Sequence, residues 1–445
     1  MVTYRKTLFI KAAVACALFQ GCVVDSNLDR ITTAVTPVDP PLVCGVDLPV
    51  EPVAKLSDCS FDSGATVTET LGLSHEKTLQ IPVRHLIIVM KENRSFDHIF
   101  GKLHDQGRPE VEAVPDDFQN LDLHDEVVKP YHSETTCLGA DPDHQWGGMH
   151  LGINGGKMNG FVGMAAVSTD SNGHFVMGYY EQSDLPFYYW MANTYALGDR
   201  HFSPLAAGTQ ANRAMFMLGT NDGLKNTSLV TYPSASRASI FSELLDAGYT
   251  WGVYTNGKPF SAALGWTQKS PGVHSVSDFF EALDSGKLPN VAFVDGIENV
   301  DDDHPMADLQ LGEAWTRKIY EHAIKSPQWL RSAMVWTYDE SGGFADHVPP
   351  PLACAPSDSS ADQQYREMGP RVPFVVVSPW AKKHYVSHVT RDHTAVTRFI
   401  ETVFDLPALT KRDANSDALF DLFDFSCDHD LSTPESPESG VGGCE

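Results

Sequence analysis

The sequence is short of positive charge. Against 58 aspartates and glutamates it sets 32 lysines and arginines, a formal net charge of −26 over 445 residues. That balance argues against a nucleic-acid backbone as partner. No Cys-x-x-Cys pair occurs, so zinc-ribbon readings fail. No repeat of fixed period is present, and solenoid architectures drop out with it. The apolar stretch 7–19 is interrupted by Lys11 and is too short to span a bilayer. With 42% hydrophobic and 20% charged residues, the chain is globular rather than disordered.

What is there begins with an export signal. Arg5 and Lys6 precede the apolar stretch, which ends in Leu-Phe-Gln-Gly-Cys. This end resembles a bacterial lipoprotein cleavage site, with Phe19 where a leucine is usual. We therefore expect an exported, periplasmic, outer-membrane-anchored or secreted protein, with a lipid anchor at Cys22 and through it a membrane surface. Six further cysteines remain: Cys44, Cys59, Cys137, Cys354, Cys427 and Cys444. An even set in an exported chain predicts disulfides. Six cysteines allow about 15 pairings; proximity alone suggests Cys44–Cys59 and Cys427–Cys444.

Residues 1–22 are thus a signal, and 23–80 a tether and irregular lead-in rich in Val, Pro, Asp and Thr. Residues 81–425 alternate apolar strands with amphipathic helices, and 426–445 form a polar tail. Strands are predicted over 83–90, 249–254, 291–294, 333–337 and 372–378. Helices are predicted over 183–198, 209–219, 240–247, 276–285, 312–325 and 394–404. The order implies an α/β fold, a mostly parallel sheet sandwiched between helices. The segments 104–170 and 355–367 lack periodicity and read as loop or cap insertions over the strand ends.

The chemistry gathers after two of these strands. Glu92 and Asn93 follow the first, an unalternating apolar run expected to be buried on both faces; Asp339 and Glu340 follow the fourth. Ligands bind beyond the carboxyl ends of parallel strands, and hard oxygen donors there suit a divalent cation. A polar turn explains each pair alone, but not their matched placement. Thr209 stands where a helix opens, at a natural N-cap position; a hydroxyl there can also serve phosphate chemistry. His144, His304, His347 and His393 each follow an aspartate in loops or at element ends, which fits phosphate binding and proton transfer.

The segments IVMKENRSFDHIFG (88–101), WTYDESGGFADHVPPP (336–351), RVPFVVVSPWAK (371–382) and DHTAVTRFIE (392–401) resemble the bacterial phosphoesterase family. That family contains phosphatidylcholine-type phospholipases C and acid phosphatases, within the alkaline phosphatase-like superfamily. The resemblance runs in order from about 83 to 425. It implies an alkaline phosphatase-like sheet and a metal-dependent hydrolase of phosphoric esters. It implies metal ligands at Glu92, Asn93, Thr209, Asp339 and Glu340, with Thr209 as nucleophile. It places His144 and His304 in the phosphate pocket, and His304 or His347 as donor to the leaving group. The metal could be Ca, Mn, Mg or Zn. Two departures stand out: Ser341 replaces a common histidine, and Ala345 a phenylalanine. The substrate is a phospholipid or a small phosphomonoester. Trp146, Trp190, Tyr179 and Tyr180 are available for an aromatic choline cage. A sulfatase is disfavoured, since no Cys/Ser-x-Pro-x-Arg motif occurs. A non-catalytic binding protein on the same scaffold would have lost a ligand or the nucleophile, and all five positions carry competent side chains.

Overall fold

A computed structural model of the chain describes residues 39–48, 58–226 and 237–443. The expected signal and Cys22 lie outside them, as does Cys444. No helix among the described residues is long and apolar enough to cross a membrane.

Eight strands form one sheet: β1 (His85–Lys91), β2 (Ala196–Gly198), β3 (Trp251–Tyr254), β4 (Val273–His274), β5 (Val291–Val294), β6 (Ser332–Tyr338), β7 (Phe374–Val377) and β8 (Tyr385–Ser387). Their spatial order is β8-β2-β7-β6-β1-β5-β3-β4. Only β7 runs against the rest, so the sheet is mostly parallel, as expected. The predicted 183–198 helix divides into a helix Pro186–Thr194 and β2, because Tyr195 turns extended. Strands as short as β2, β4 and β8 are too brief to show a period.

β1 is the centre of the sheet, and all seven of its residues are buried. Its register explains how the two faces are covered. Trp336 lies opposite Val89, while Phe293 lies opposite Ile88, so the two rings point to opposite faces. On one face Trp336 meets Tyr188 and Phe100, under the helices Pro186–Thr194 and Leu309–Ala323. On the other, Phe293 meets Phe216 of the helix Thr209–Leu218. That helix is in turn held to His393–Phe404 by Thr397 Oγ1 donating to Phe216 O at 2.7 Å.

The insertion at 104–170 has more order than its sequence suggests. It contains helices Trp146–Ile153 and Phe161–Thr169, and a small core of its own around Met149, Ile153, Phe161 and Val162. Phe344, from the loop after β6, completes that core. The lead-in carries two short helices, Val67–Leu71 and His75–Thr78, and Val67 and Leu71 pack against Ala418. The C-terminal segment lies along Leu309–Ala323, with Arg317 on Glu438, Tyr320 on Pro434 and Glu313 on Gly440.

The disulfides correct the proximity pairing. Cys44 bonds Cys427 and Cys59 bonds Cys354, across 383 and 295 residues; Cys137 is disulfide-bonded too. The backbone shows why: Gly45 N donates to Phe425 O at 2.7 Å, and Phe61 N donates to Asn415 at 3.1 Å. The lead-in lies against the C-terminal part of the chain rather than against itself. Cross-links of this span restrict the unfolded chain most. Replacing Cys59 and Cys354 together by Ser should cost about 2–4 kcal/mol in reversible unfolding; an unchanged unfolding midpoint would contradict that role.

Candidate active site

The two acidic pairs meet as expected, and the register shows how. β1 and β6 run parallel with Lys91 opposite Tyr338, so Glu92 and Asp339 leave the sheet at one level. Asp339 N donates to Lys91 O, and Asn93 N donates back to Asp339 Oδ1 at 3.2 Å. Asn93 takes a left-handed conformation, φ 67°, which asparagine tolerates better than most residues. Gly342 permits the next loop to close over it: a Cβ there would lie 2.2 Å from Asn93 O.

A third strand end joins them. Asp295 follows β5, the other neighbour of β1. Into these carboxylates reaches Arg213, buried at 4% side-chain exposure, 2.9 Å from Glu92, 3.3 Å from Asp339 and 3.5 Å from Asp295. Burial acts to strip its proton, but the three carboxylates override it and hold the guanidinium charged. Even so, carboxyl groups remain in excess. Burial and the charge of Glu92 push Asp339 up to about 6. Burial pushes Asp295 up to about 7, and burial with Glu92 pushes Asp302 up to about 8. Glu340, fully buried, is held well above the usual carboxylate range by desolvation. Its Oε2 accepts from Gly342 N at 2.7 Å, while among the described residues its Oε1 has no partner; nor has Asn93 Oδ1. Two buried, unpaired oxygens beside excess carboxylate charge are what a divalent cation would satisfy, so this donor set fits a metal.

Thr209 is the first residue of its helix, and Gly208, not Thr209, is the N-cap. The expected capping role is therefore corrected: the extended residue ahead of the helix is the glycine. Asn212 sets the approach by accepting from Leu205 N and donating to Ala207 O. Thr209 and Arg213 stand four residues apart on one helix face, so the threonine opens the helix whose next turn sends Arg213 to the carboxylates.

His144 and His304 come together on the insertion side. Their rings are 6.2 Å apart, and Asp141 bridges them, 3.4 Å from His144 Nδ1 and 3.8 Å from His304 Nε2. The partner of each is thus Asp141, not the aspartate adjacent in sequence. His144 Nε2 faces Asn93 Nδ2 at 3.4 Å. Burial opposes its charge, but Glu340 and Asp141 push its imidazole up to about 10.

His347 lies elsewhere. It bonds Asp97 at 2.7 Å, in a cluster with Asp346 and Arg371. Beside it is a cavity of about 320 Å³ lined by Asp97, Lys102, Phe118, Tyr179 and Ala345. No contact among the described residues joins His347 to Asp339, Glu340 or His144, so its expected role at the leaving group has no contact to rest on. His393 supports the site from behind, 2.8 Å from Asp339 O and 3.1 Å from His201. Ser341 turns its hydroxyl to Met149 of the insertion, which fills the place beside it. Of the proposed cage aromatics, Tyr180 is in the core and Trp190 packs on Phe187 and Tyr320. Tyr179 lines the other cavity. Trp146, two residues from His144, faces Tyr365, and the Lys225 ammonium lies 4.3 Å from its ring.

Reasoning from sequence missed Arg213, Asp295 and Asp141. The rule that found Glu92 and Asp339, a carboxylate after a parallel strand, also finds Asp295. Arg213 is visible as the residue one turn beyond Thr209.

A model of the Phosphoesterase family matches residues 83–407. The chain is 30% identical over 374 residues to non-specific phospholipase C1 of Arabidopsis thaliana, covering 76% of this chain and 70% of that protein. It is 28% identical to non-hemolytic phospholipase C of Burkholderia pseudomallei, over 80% of this chain and 61% of the other. It is 29% identical to phospholipase C B of Mycobacterium tuberculosis, over 79% and 80%. Among solved structures, an alkaline phosphatase superfamily protein from Vibrio parahaemolyticus overlaps 88% of this chain and 77% of its own, with 10% identity and a TM-score of 0.37. An overlap that shallow carries no weight for the site.

The raised carboxyls set a pH dependence. Asp339, Asp295 and Asp302 titrate at about 6, 7 and 8 when folded and near about 3.9 when unfolded. Between those limits the folded chain binds more protons, so its stability falls as pH rises. In chelator, the unfolding temperature should drop from pH 5 to pH 8, and added divalent cation should restore more of it at pH 8. A flat profile would contradict the excess buried charge.

Proposed function

Because this chain belongs to the Phosphoesterase family, we propose that it is an exported, metal-dependent hydrolase of phosphoric esters. In this reading it is of phospholipase C type and works through a phosphothreonine at Thr209. The observation that carries it is the meeting of Glu92, Asn93, Asp339 and Glu340 at adjacent strand ends, under a helix that opens with Thr209. Glu92, Asn93, Thr209, Asp339 and Glu340 would hold the metal. Bound there, a divalent cation lowers the pKa of a hydroxyl and withdraws charge from phosphoryl oxygens; Ca, Mn, Mg and Zn all remain open.

The chain's own residues do the rest. Thr209 Oγ attacks phosphorus in line as its proton passes to solvent; the bond from phosphorus to the ester oxygen breaks, and the leaving oxygen takes a proton from His144 or His304 and departs as the alcohol. The free N–H groups at the helix N-terminus hold the equatorial oxygens. Arg213 keeps Glu92 and Asp339 in place while charge moves. Water then attacks the phosphothreonine from the vacated side and frees phosphate or a phosphorylated head group. His144 and Asp141 from the insertion, with His304 from the loop after β5, face this site, where the leaving oxygen's charge must be met.

Relatives named as phospholipases C support a phospholipid substrate. The paired cysteines support export, and Cys22 would add the lipid anchor. A small-monoester phosphatase is the alternative that substrate assays separate.

Thr209 caps nothing, so Thr209→Ala should change stability by less than about 1 kcal/mol. Turnover of p-nitrophenylphosphorylcholine should fall by about 10³-fold or more. Acid quenching of the wild type during turnover should leave phosphate on the peptide bearing Thr209. Near-normal turnover by the variant, or covalent phosphate on another residue, would contradict the mechanism. Faster hydrolysis of p-nitrophenyl phosphate than of the choline ester would favour the phosphatase.

A further inference from the structure

Gly-Val-Gly-Gly, residues 440–443, lies in backbone contact with the start of the helix Leu309–Ala323. Gly440 N donates to Glu313 Oε2 at 2.8 Å, Gly442 N to Gln310 Oε1 at 3.0 Å and Gly443 N to Asp308 Oδ2 at 2.7 Å. The glycines permit this approach. A Cβ at Gly440 would lie 2.3 Å from Gln310 Cδ, and one at Gly442, where φ is 70°, 2.9 Å from Leu311 Cδ2. Earlier in the segment Glu438 pairs with Arg317, and Pro434 O accepts from Tyr320 at 2.7 Å. The segment therefore runs antiparallel to the helix, from Tyr320 back to Asp308.

Asp308 carries this contact to the site. It is buried, and its Oδ1 caps the helix by accepting from Gln310 N at 3.0 Å. The same oxygen accepts from Thr136 Oγ1 at 2.8 Å, and Leu309 N donates to Thr136 O at 3.3 Å. Cys137 pairs with Asp308 in an isolated antiparallel bridge. Asp308 thus joins two loops, and each bears part of the leaving-group side. Asp141 comes four residues after Cys137, His304 comes four before Asp308, and their side chains meet at 3.8 Å. No helix or strand occurs between Cys137 and Trp146, or between Val294 and Leu309. Such loops take their relative position from cross-links of this kind.

We propose that residues 440–443 form a strap that positions the leaving-group side of the site: through Asp308 they hold the loop of His304 in register with the loop of Asp141. The proposal rests on the phosphoric-ester hydrolase reading and adds to it what places the proton donor. A shift of about 1 Å in such a group can cost about 10²-fold in rate. An alkyl alcohol needs a proton as it leaves, whereas p-nitrophenolate departs as a stable anion. The strap therefore matters for alkyl esters and little for the p-nitrophenyl ester.

The test compares Asp308→Asn and Gly442→Val with wild type, each as the full chain. Asparagine caps a helix as well as aspartate does. It keeps a carbonyl towards Thr136 and Gln310 but turns an NH2 against Gly443 N–H. Gly442→Val leaves Asp308 intact and forces a side chain into the contact from the tail. Circular dichroism, unfolding temperature and metal content establish that each variant is folded and loaded. Both should turn over p-nitrophenylphosphorylcholine within about 3-fold of wild type and lose about 10-fold or more on phosphatidylcholine. Hydrogen exchange should quicken in peptides spanning 136–145 and 303–309. An unchanged ratio of the two rates, or unchanged exchange in both peptides, would overturn the strap. The hydrolase reading fails separately: a wild type that cleaves neither ester overturns the reaction, while exchange still judges whether the strap holds the loops.

Discussion

The burial of several carboxylates at the ends of three neighbouring strands governs this molecule. β6, β1 and β5 deliver Asp339, Glu92 and Asp295 to one edge of the sheet, with Glu340 and Asp302 close behind. Isolated charges in such a place cost several kcal/mol each. Arg213 offsets part of that cost, and raised pKa values register what it leaves over. The site therefore stores a demand for positive charge. A scaffold with no use for cations would replace such a group with apolar packing, often at no cost in stability.

Everything that positions Thr209 is built around that charge. The helix Thr209–Leu218 lies across the strand ends because Arg213 anchors it there, while Phe216 packs on Phe293 beneath. Gly219 ends it in a left-handed turn at φ 67°, where a Cβ would strike Asp413 Oδ1 at 2.1 Å. From the other side the insertion presents His144, held by a core that Phe344 shares with the loop after β6. That sharing ties the insertion to the very loop that carries Asp339 and Glu340. One helix, one loop and one insertion thus converge on a single edge.

Much of this was legible in the sequence. Strand 291–294 was bounded as it occurs, and the carboxyl ends of the strands at 83–90 and 333–337 were placed within one residue. Long apolar runs leave little choice of structure, so the pairing of Glu92 and Asn93 with Asp339 and Glu340 followed from topology alone. Other features left weaker traces. β7 is antiparallel, and a strand buried on both faces has the same composition in either direction. Asp295 stood after a correctly placed strand but without an acidic neighbour to draw notice. Arg213 was invisible to a search for metal ligands, since it supplies charge of the opposite kind. His347 shares a motif with Asp339 and Glu340, yet the turn at Gly342 and Gly343 carries it to Asp97. The disulfides join segments about 300 to 400 residues apart, where nearness along the chain means nothing.

The most direct test of the account is a crystal structure with orthovanadate and manganese, collected at the manganese absorption edge. The account predicts a five-coordinate vanadate bonded to Thr209 Oγ, and anomalous density at about 2.0–2.4 Å from Glu340 Oε1 and Asn93 Oδ1. Vanadate bound away from Thr209, with no anomalous density at the strand ends, would contradict it.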